Sequence, residues 1–252
     1  MANRLKDKLT AGAPALGCSL MFPSPQIVEM LGYGGFDWVL LDCEHGSLSP
    51  ADVEVMAIAA TSAGITPIAR PRTNSAIDIQ TVMDRGVQGV QVPHVNTAVD
   101  ARRAVDAVKF GPTSLRSLAA GTRPDRWGFG GKMADFADAA NADSLVCVQF
   151  EHPKALENID SILEVEGVDV FFIGPSDLSQ AMGHPGNPGA PPVAAAIDSA
   201  LKRIVAAGKT PGMPGTSDNV ARLIGLGVRY IYNHLPRLIG AGSAAFRGAA
   251  GI

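Results

Sequence analysis

VQFEHPKALENIDSILEVEGVDVFFIGPSDLS, residues 148–179, places one acidic residue just past each of two apolar runs. Glu151 follows the run 145–150, Asp177 follows the run 168–173, and a helix-like segment, 154–163, lies between them. A strand–helix–strand crossover of the usual right hand returns the second strand parallel to the first. Both carboxylates then emerge at the same edge of a sheet. Two oxygen donors at one edge suit a hard divalent cation, with coordination positions left over for a substrate.

Working outward, the same alternation runs through the chain. Strand-like runs fall at 16–21, 37–41, 67–70, 89–93, 145–150, 168–173, 209–213 and 229–232, and helix-like segments separate them. The helix after the second run carries its own start and stop signals: Ser49 as N-cap, Pro50 at the first helical position and Gly64 at the far end. Eight strands alternating with helices predict an α/β chain folded as one (β/α)8 TIM barrel over residues 1–252, with a small-residue helix at its C-terminus. A doubly wound open sheet uses the same alternation. Its glycine-rich phosphate turn is missing here, since the first strand leads into MFPSPQ, residues 21–26. Residues 111–131 break the rhythm with Gly, Pro and Arg, and a long irregular loop in a compact domain is usually functional or mobile.

Composition narrows the function classes. With 46% hydrophobic and 18% charged residues in 252, the chain can bury a large core. A net charge of −3 leaves no basic footprint for nucleic acid or an anionic membrane surface. No apolar run reaches the roughly 18 residues of a membrane span, and the N-terminal MANRLKDKLT lacks the apolar centre of a secretion signal, so a cytoplasmic location is expected. Cys18, Cys43 and Cys147 are odd in number and sit in or beside apolar runs, which reads as buried small hydrophobes.

Function in such a barrel collects where strands end. After the second run come Asp42, Glu44 and His45; after the third, Arg70; after the fourth, His94; after the fifth, Glu151 and His152; after the sixth, Asp177; after the eighth, Asn233 and His234. Glu151 and Asp177 each also read as acids favoured at a helix start, by about 0.3–1 kcal/mol. As a pair after neighbouring strands they read better as ligands for magnesium, manganese or cobalt. Asp42 is close enough in sequence to orient the imidazole of His45, a candidate general base; a surface histidine with a chance neighbour fits the spacing equally well. Arg70 ends an apolar strand where an unpaired charge is costly, so it has either an anionic ligand or an ion pair with Asp42 or Glu44. For His94, His152, His184 and His234 the bland reading is preferred, since none has a histidine partner at helical ligand spacing.

DWVLLDCEHG, PIARPR, VMDRGVQGVQVPHV, VQFEHPKALENIDSIL, VEGVDVFFIGPSDLS and the GHPGNP loop together resemble the HpcH/HpaI aldolase family of metal-dependent class II pyruvate aldolases, from about residue 15 to 235. The resemblance implies a lyase that joins pyruvate or a similar 2-oxo acid to an aldehyde, and reverses the reaction, through an enolate. It implies Glu151 and Asp177 as metal ligands, and the backbone around Gly174, Ser176 and Asp177 as the receiver of the substrate carboxylate. Arg70 would face the keto oxygen, His45 held by Asp42 would move the proton, and Asp84 would reach a neighbouring subunit's site. A homo-oligomer, a hexamer built with exchanged terminal helices, is also implied. A Schiff-base lysine is the other route to this chemistry. Lys209 alone starts a strand-like run, at the wrong end. The alternatives are a decarboxylase or acyl-CoA lyase of the same superfamily, the latter drawing on the arginines of 111–131, and a non-catalytic binder of small carboxylates.

Overall fold

Apolar runs bounded by turn residues become fully buried strands when both faces of a sheet are covered. The computed structural model describes residues 3–252. Its strands are β1 (Ala15–Leu20), β2 (Trp38–Asp42), β3 (Thr66–Arg70), β4 (Gly89–Val92), β5 (Leu145–Phe150), β6 (Val170–Ile173), β7 (Thr210–Pro214) and β8 (Tyr230–His234). They pair in parallel in chain order, and β8 returns to β1 to close a (β/α)8 barrel. The helices are α1 (Arg4–Thr10), α2 (Pro25–Tyr33), α3 (Pro50–Ser62), α4 (Ala76–Met83), α5 (Ala98–Val108), α6 (Met133–Asp143), α7 (Pro153–Glu157), α8 (Ile159–Leu163), α9 (Pro175–Ala181), α10 (Pro191–Ala206), α11 (Val220–Gly225) and α12 (Leu235–Ala249).

Local chemistry fixes where the early helices begin. Ser24, Ser49, Ser75 and Thr97 accept hydrogen bonds from the backbone N–H groups of Ile27, Asp52, Asp78 and Asp100, satisfying donors that have no partner inside the helix. Ser49 and Asp52 complete a reciprocal capping box. The helix read over 154–163 is two helices, α7 and α8. It breaks at Asn158, whose side-chain amide donates to the carbonyl of Asn96 and so ties the segment to the loop after β4.

Side chains alternate along a strand, so one inward-facing residue fixes the parity of the rest. Trp38, Leu40, Ile68, Cys147, Val170, Phe172, Tyr230 and Tyr232 form one buried cluster, with Trp38 stacked on Tyr230 at 4.0 Å and Phe172 parallel to Tyr232 at 5.3 Å. This cluster fills the barrel. The larger cluster lies between sheet and helices. Helix α1, which the strand pattern left unread, adds Leu5 and Leu9 to the inner cluster, and its N-cap Asn3 donates to the carbonyls of Gln88 and Asp143 just ahead of β4 and β5. The amino-terminal end of the barrel is thereby plugged.

Function in such a barrel gathers at the carboxyl ends of its strands. Continuing the inward parity to that edge gives Asp42 on β2, Arg70 on β3, Gln91 on β4, Gln149 and Glu151 on and after β5, and Gly174 after β6. The change from apolar to polar along the inward rows marks the floor of the site.

The remaining segments lie elsewhere. Residues 111–131 form one short 3-10 turn, Arg126–Gly128, and otherwise follow an irregular path. Arg116 donates to the Val108 carbonyl and Arg123 to that of Gly86, both at the amino-terminal side of β4. A cavity of about 380 Å³ lies there, lined by Arg116, Arg123, Trp127 and Phe136 among others. Helix α12 buries only Leu235 and leaves Ile239 and Phe246 exposed. Among the described residues no helix is long and apolar enough to cross a membrane.

Candidate active site at the carboxyl ends of the strands

The site is built around Asp42, which is fully buried. Its Oδ1 accepts from Arg70 Nε at 2.9 Å and its Oδ2 from Arg70 Nη2 at 2.5 Å, a bidentate charge-assisted pair. Oδ1 also accepts from the backbone N–H groups of Glu44 and His45, at 3.1 and 3.3 Å. The Asp42 carboxylate therefore grips Arg70 and the main chain of the β2–α3 turn, whereas the imidazole of His45 is directed elsewhere. That ring lies 3.8 Å from Glu44 Oε2, and its side chain is 51% exposed. The acid positions the loop that carries the histidine and makes no hydrogen bond to its ring.

Arg70 has the ion pairs that its burial demands. Burial alone would lower its pKa, but the hydrogen bonds and charge of Asp42, helped by Tyr232 and Glu44, reverse that and hold the guanidinium charged. Its Nη1 lies 3.2 Å from Glu44 Oε2. That contact is an ion pair without hydrogen-bond alignment, for Oε2 is buried and has no hydrogen-bond donor. Burial pushes the Glu44 carboxyl above its ordinary range; Arg70 pulls it back and the charge of Glu151 raises it further.

Glu151 sits on the other side of the mouth, 4% exposed. Gln91 donates to Gln149 at 2.6 Å, and Gln149 in turn donates to Glu151 Oε2. The other oxygen, Oε1, accepts from the backbone N–H of His94 at 2.6 Å and lies 2.9 Å from His94 Nδ1. Gly174 packs closely beside it: a Cβ there would meet Glu151 Cβ at 3.1 Å and Oε2 at 3.3 Å. Asp177 stands in the first turn of α9, half-buried, and makes no hydrogen bond or ion pair among the described residues. An acid in the first turn is also what the helix-start reading of this residue requires. Unlike the four capped helices above, α9 starts at Gly174 with no side-chain cap, so the N–H groups of Ser176 and Asp177 face outward without one.

His94, which follows the fourth run and was given the bland reading, also stands at this mouth. Its ring lies between two carboxylates, with Nε2 3.1 Å from Glu44 Oε1, and one donor atom from each of Glu44, His94 and Glu151 lies within 4.8 Å of the others. The backbone is left-handed there, at φ +55°, a conformation uncommon outside glycine that histidine tolerates better than most residues. The pKa of His234, at the end of β8, is lowered by burial and by the charges of Arg237 and Arg70. Asp84 is not brought to this mouth within the chain. It caps the far end of α4, 3.6 Å from Arg116 Nη2. The three cysteines are buried and free, and burial pushes the Cys43 thiol up to about 12, so it carries no thiolate near neutral pH. Lys209 immediately precedes β7, at the plugged end.

A closed parallel barrel, sealed below and lined above by a buried arginine, carboxylates and a histidine, has the layout of a (β/α)8 enzyme that acts on a small molecule. Residues 17–221 match the family model described as HpcH/HpaI aldolase/citrate lyase. The chain is 39% identical over 233 residues to the 4-hydroxy-2-oxo-heptane-1,7-dioate aldolase of Klebsiella pneumoniae, covering 92% of this chain and 87% of that one. It is 38% identical to the enzyme of the same name from Salmonella dublin, covering 92% and 88%. Among solved structures, an HpcH/HpaI aldolase/citrate lyase family protein from Burkholderia cenocepacia superposes with a TM-score of 0.91 at 28% identity, covering 99% of this chain and 100% of that one. An HpcH/HpaI aldolase from Desulfitobacterium hafniense does so with 0.90 at 26%, covering 99% and 97%. The chain belongs to the HpcH/HpaI aldolase/citrate lyase family, and it is a lyase of the class II aldolase type.

Proposed function

We propose that the enzyme makes and breaks 4-hydroxy-2-oxo acids, adding the methyl carbon of a pyruvate-like 2-oxo acid to an aldehyde. The observation that carries this reading is the buried, fixed guanidinium of Arg70 facing the same mouth as Glu151 and Gly174. Its bidentate grip by Asp42 preorganises a positive charge where the keto oxygen gains negative charge as a C3 proton leaves, and one such donor is typically worth ~3–4 kcal/mol.

Glu151 and Asp177 would hold a divalent cation, Mg2+, Mn2+ or Co2+. The residues fit one: Glu151 is a buried carboxylate with Gly174 clearing the space beside it, and Asp177 is an unpaired carboxylate on the next strand's helix. When bound, such an ion supplies electrophilic polarisation of the keto group. The uncapped N–H groups of Ser176 and Asp177 would receive the substrate carboxylate, and Arg70 would orient the keto oxygen. His45, half-exposed on a loop tied down by Asp42, would take the C3 proton and return one to the new hydroxyl oxygen. Asp84, at the far end of α4, would act at a neighbouring copy's mouth, in a hexamer that uses α12 as a docking helix. A cytoplasmic location completes the reading. The arginines of 111–131 lie at the opposite end of the barrel from this mouth within the chain, which favours a small aldehyde over a CoA ester as the second substrate.

The test is deuterium exchange into the pyruvate methyl group, followed by proton NMR with Mg2+, Mn2+ or Co2+ and again with EDTA. Metal-dependent exchange is expected. If pyruvate binds and no metal supports exchange, the reading fails.

A further inference from the structure

We propose that the cavity at the start of β4, walled by the 111–131 segment and α6, is a second ligand site, and that it takes a small organic monoanion with a flat apolar body, an aromatic carboxylate. It lies at the other end of β4 from the mouth described above, and no part of the metal reading enters it.

At about 380 Å3 the cavity falls in the range of small-molecule sites, about 300–1,000 Å3. Much of its wall is apolar, with Met83 and Val87 from the end of α4 and the turn into β4, and Phe136 and Ala140 from α6. Charge enters from the loop, whose Arg116, Arg123 and Arg126 all line it. The Arg116 side chain is 1% exposed; its Nη1 donates to the Val108 carbonyl, and its guanidinium lies 4.2 Å from the centre of the Phe110 ring. Its Nε has no hydrogen-bond partner, and the nearest carboxylate oxygen given by its ion pair with Asp84 is 3.6 Å away, beyond hydrogen-bond reach. Arg123 is half-buried and donates to the Gly86 carbonyl, with no ion pair among the described residues. Asp143 is the one carboxylate on the wall, and its charge also acts on Lys109. Guanidiniums taken out of water without a full counter-charge are costly, and an anion in the cavity would supply that charge.

The backbone holds this arrangement in place. A Cβ at Gly86, where φ is +91°, would collide with the Arg123 guanidinium, so glycine leaves the space that the arginine occupies. Arg126 and Trp127 are consecutive left-handed residues, at φ +52° and +60°, a conformation uncommon for bulky side chains. Such strain persists where the surroundings hold it, and it clusters at ligand clamps. Here it brings the Trp127 ring to the cavity wall and leaves it 57% exposed. Trp127 and Phe136 offer aromatic surface to a flat ring, while a guanidinium matches the plane of a carboxylate.

The experiment is titration of the full-length protein with benzoate, read by calorimetry and by tryptophan fluorescence, with benzamide and inorganic phosphate as controls. The chain has two tryptophans, and Trp38 is sealed inside the barrel, so a probe in the cavity is seen through Trp127. We expect one benzoate per chain, and benzamide weaker by about tenfold or more, since the ring is kept and the charge is gone. Arg123→Gln and Ala140→Leu should each weaken benzoate by about tenfold or more, the first by removing the counter-charge and the second by filling the space from α6. Trp127→Phe should lose the fluorescence change and keep calorimetric binding. Excess pyruvate with Mg2+ should leave both readouts unchanged. Benzoate that does not bind at millimolar concentration, that pyruvate displaces, or that binds Arg123→Gln and Ala140→Leu as tightly as the native protein would overturn the proposal. Phosphate that binds as tightly as benzoate would overturn it too, by making the arginines a general anion patch.

Discussion

Replacing Asp42 by asparagine tests whether the Asp42–Arg70 pair is what the site is built on. Asparagine keeps the shape and leaves one oxygen for the N–H groups of Glu44 and His45. It also turns an NH2 group toward Arg70 Nη2, where a carboxylate oxygen now sits at 2.5 Å. One charge-assisted hydrogen bond is lost, worth about 1.5–3 kcal/mol. A guanidinium that is 5% exposed is left short of a counter-charge, and breaking a buried pair from one side costs about 3–5 kcal/mol in total. Glu44, 3.2 Å from Nη1, softens this and sets the expectation near the lower end, at about 3 kcal/mol. For a chain of this size that is a drop of about 6–12 °C in Tm. Thermal unfolding followed by circular dichroism reads it directly. The double variant Asp42→Leu/Arg70→Met should recover at least half of the loss, because neither charge is then buried alone, while remaining inactive. An Asp42→Asn variant within about 0.5 kcal/mol of native stability would show that the surroundings do not desolvate Arg70, and the reasoning would fall.

Gly174→Ala places a methyl group 3.1 Å from Glu151 Cβ and 3.2 Å from Gln149 Nε2, so neighbours must give by a few tenths of an ångström. We expect metal affinity to fall about tenfold, roughly 1.4 kcal/mol, with little change in Tm, and unaltered affinity by titration would contradict the placement. Gly17→Ala drives a methyl group into the indole of Trp38 at the centre of the barrel; a loss of about 3 kcal/mol is expected by chemical denaturation, and a neutral result would mean the inner cluster is loosely packed. Burial lowers the Lys109 pKa from 10.5 to about 8, although its Nζ donates to the carbonyls of Asn141 and Ser144. Between those two pH values the unfolded chain binds more protons than the folded one, so stability should rise with pH from about 8 to 10.5, while below about 8 this group adds no pH dependence. Lys109→Met should flatten the plot of Tm against pH in that window, and an unchanged slope would assign it to other groups.

The barrel was legible because its strands are covered on both faces. Runs such as WVLL, 38–41, and VFFI, 170–173, are apolar at every position, and the turns between runs carry Ser, Thr, Pro and Gly where helices start and stop. Helix α1 escaped notice because RLKDKLT carries four charges in seven residues and buries only Leu5 and Leu9. Asp42, Arg70 and Glu151 were legible for a related reason: a charge ending an apolar run has to have a partner. Which partner it takes is a three-dimensional matter. Spacing left Asp42 with two possible partners, the nearby imidazole of His45 and the Arg70 guanidinium, and the structure gives it to Arg70, 28 residues away, because the register sets Asp42 opposite Arg70 on adjacent strands.

His94 marks where such reading stops. Nothing in VPHVN says that the residue after the proline turns left-handed, since that conformation is uncommon for histidine and is fixed here by contacts with β5. Yet the turn decides what the ring can do. With an ordinary backbone the imidazole would leave the mouth along the strand's parity; bent back, it spans from Glu44 on one side to Glu151 on the other. Two rows of the barrel separated by β3 and β4 are thereby coupled, with the fixed guanidinium of Arg70 at one end and the candidate metal carboxylate at the other. A change at His94 is then felt at both ends: metal affinity at Glu151 and the orientation of Glu44 against Arg70 should shift together, whereas a change at Gly174 should reach Glu151 and Gln149 and leave Arg70 undisturbed.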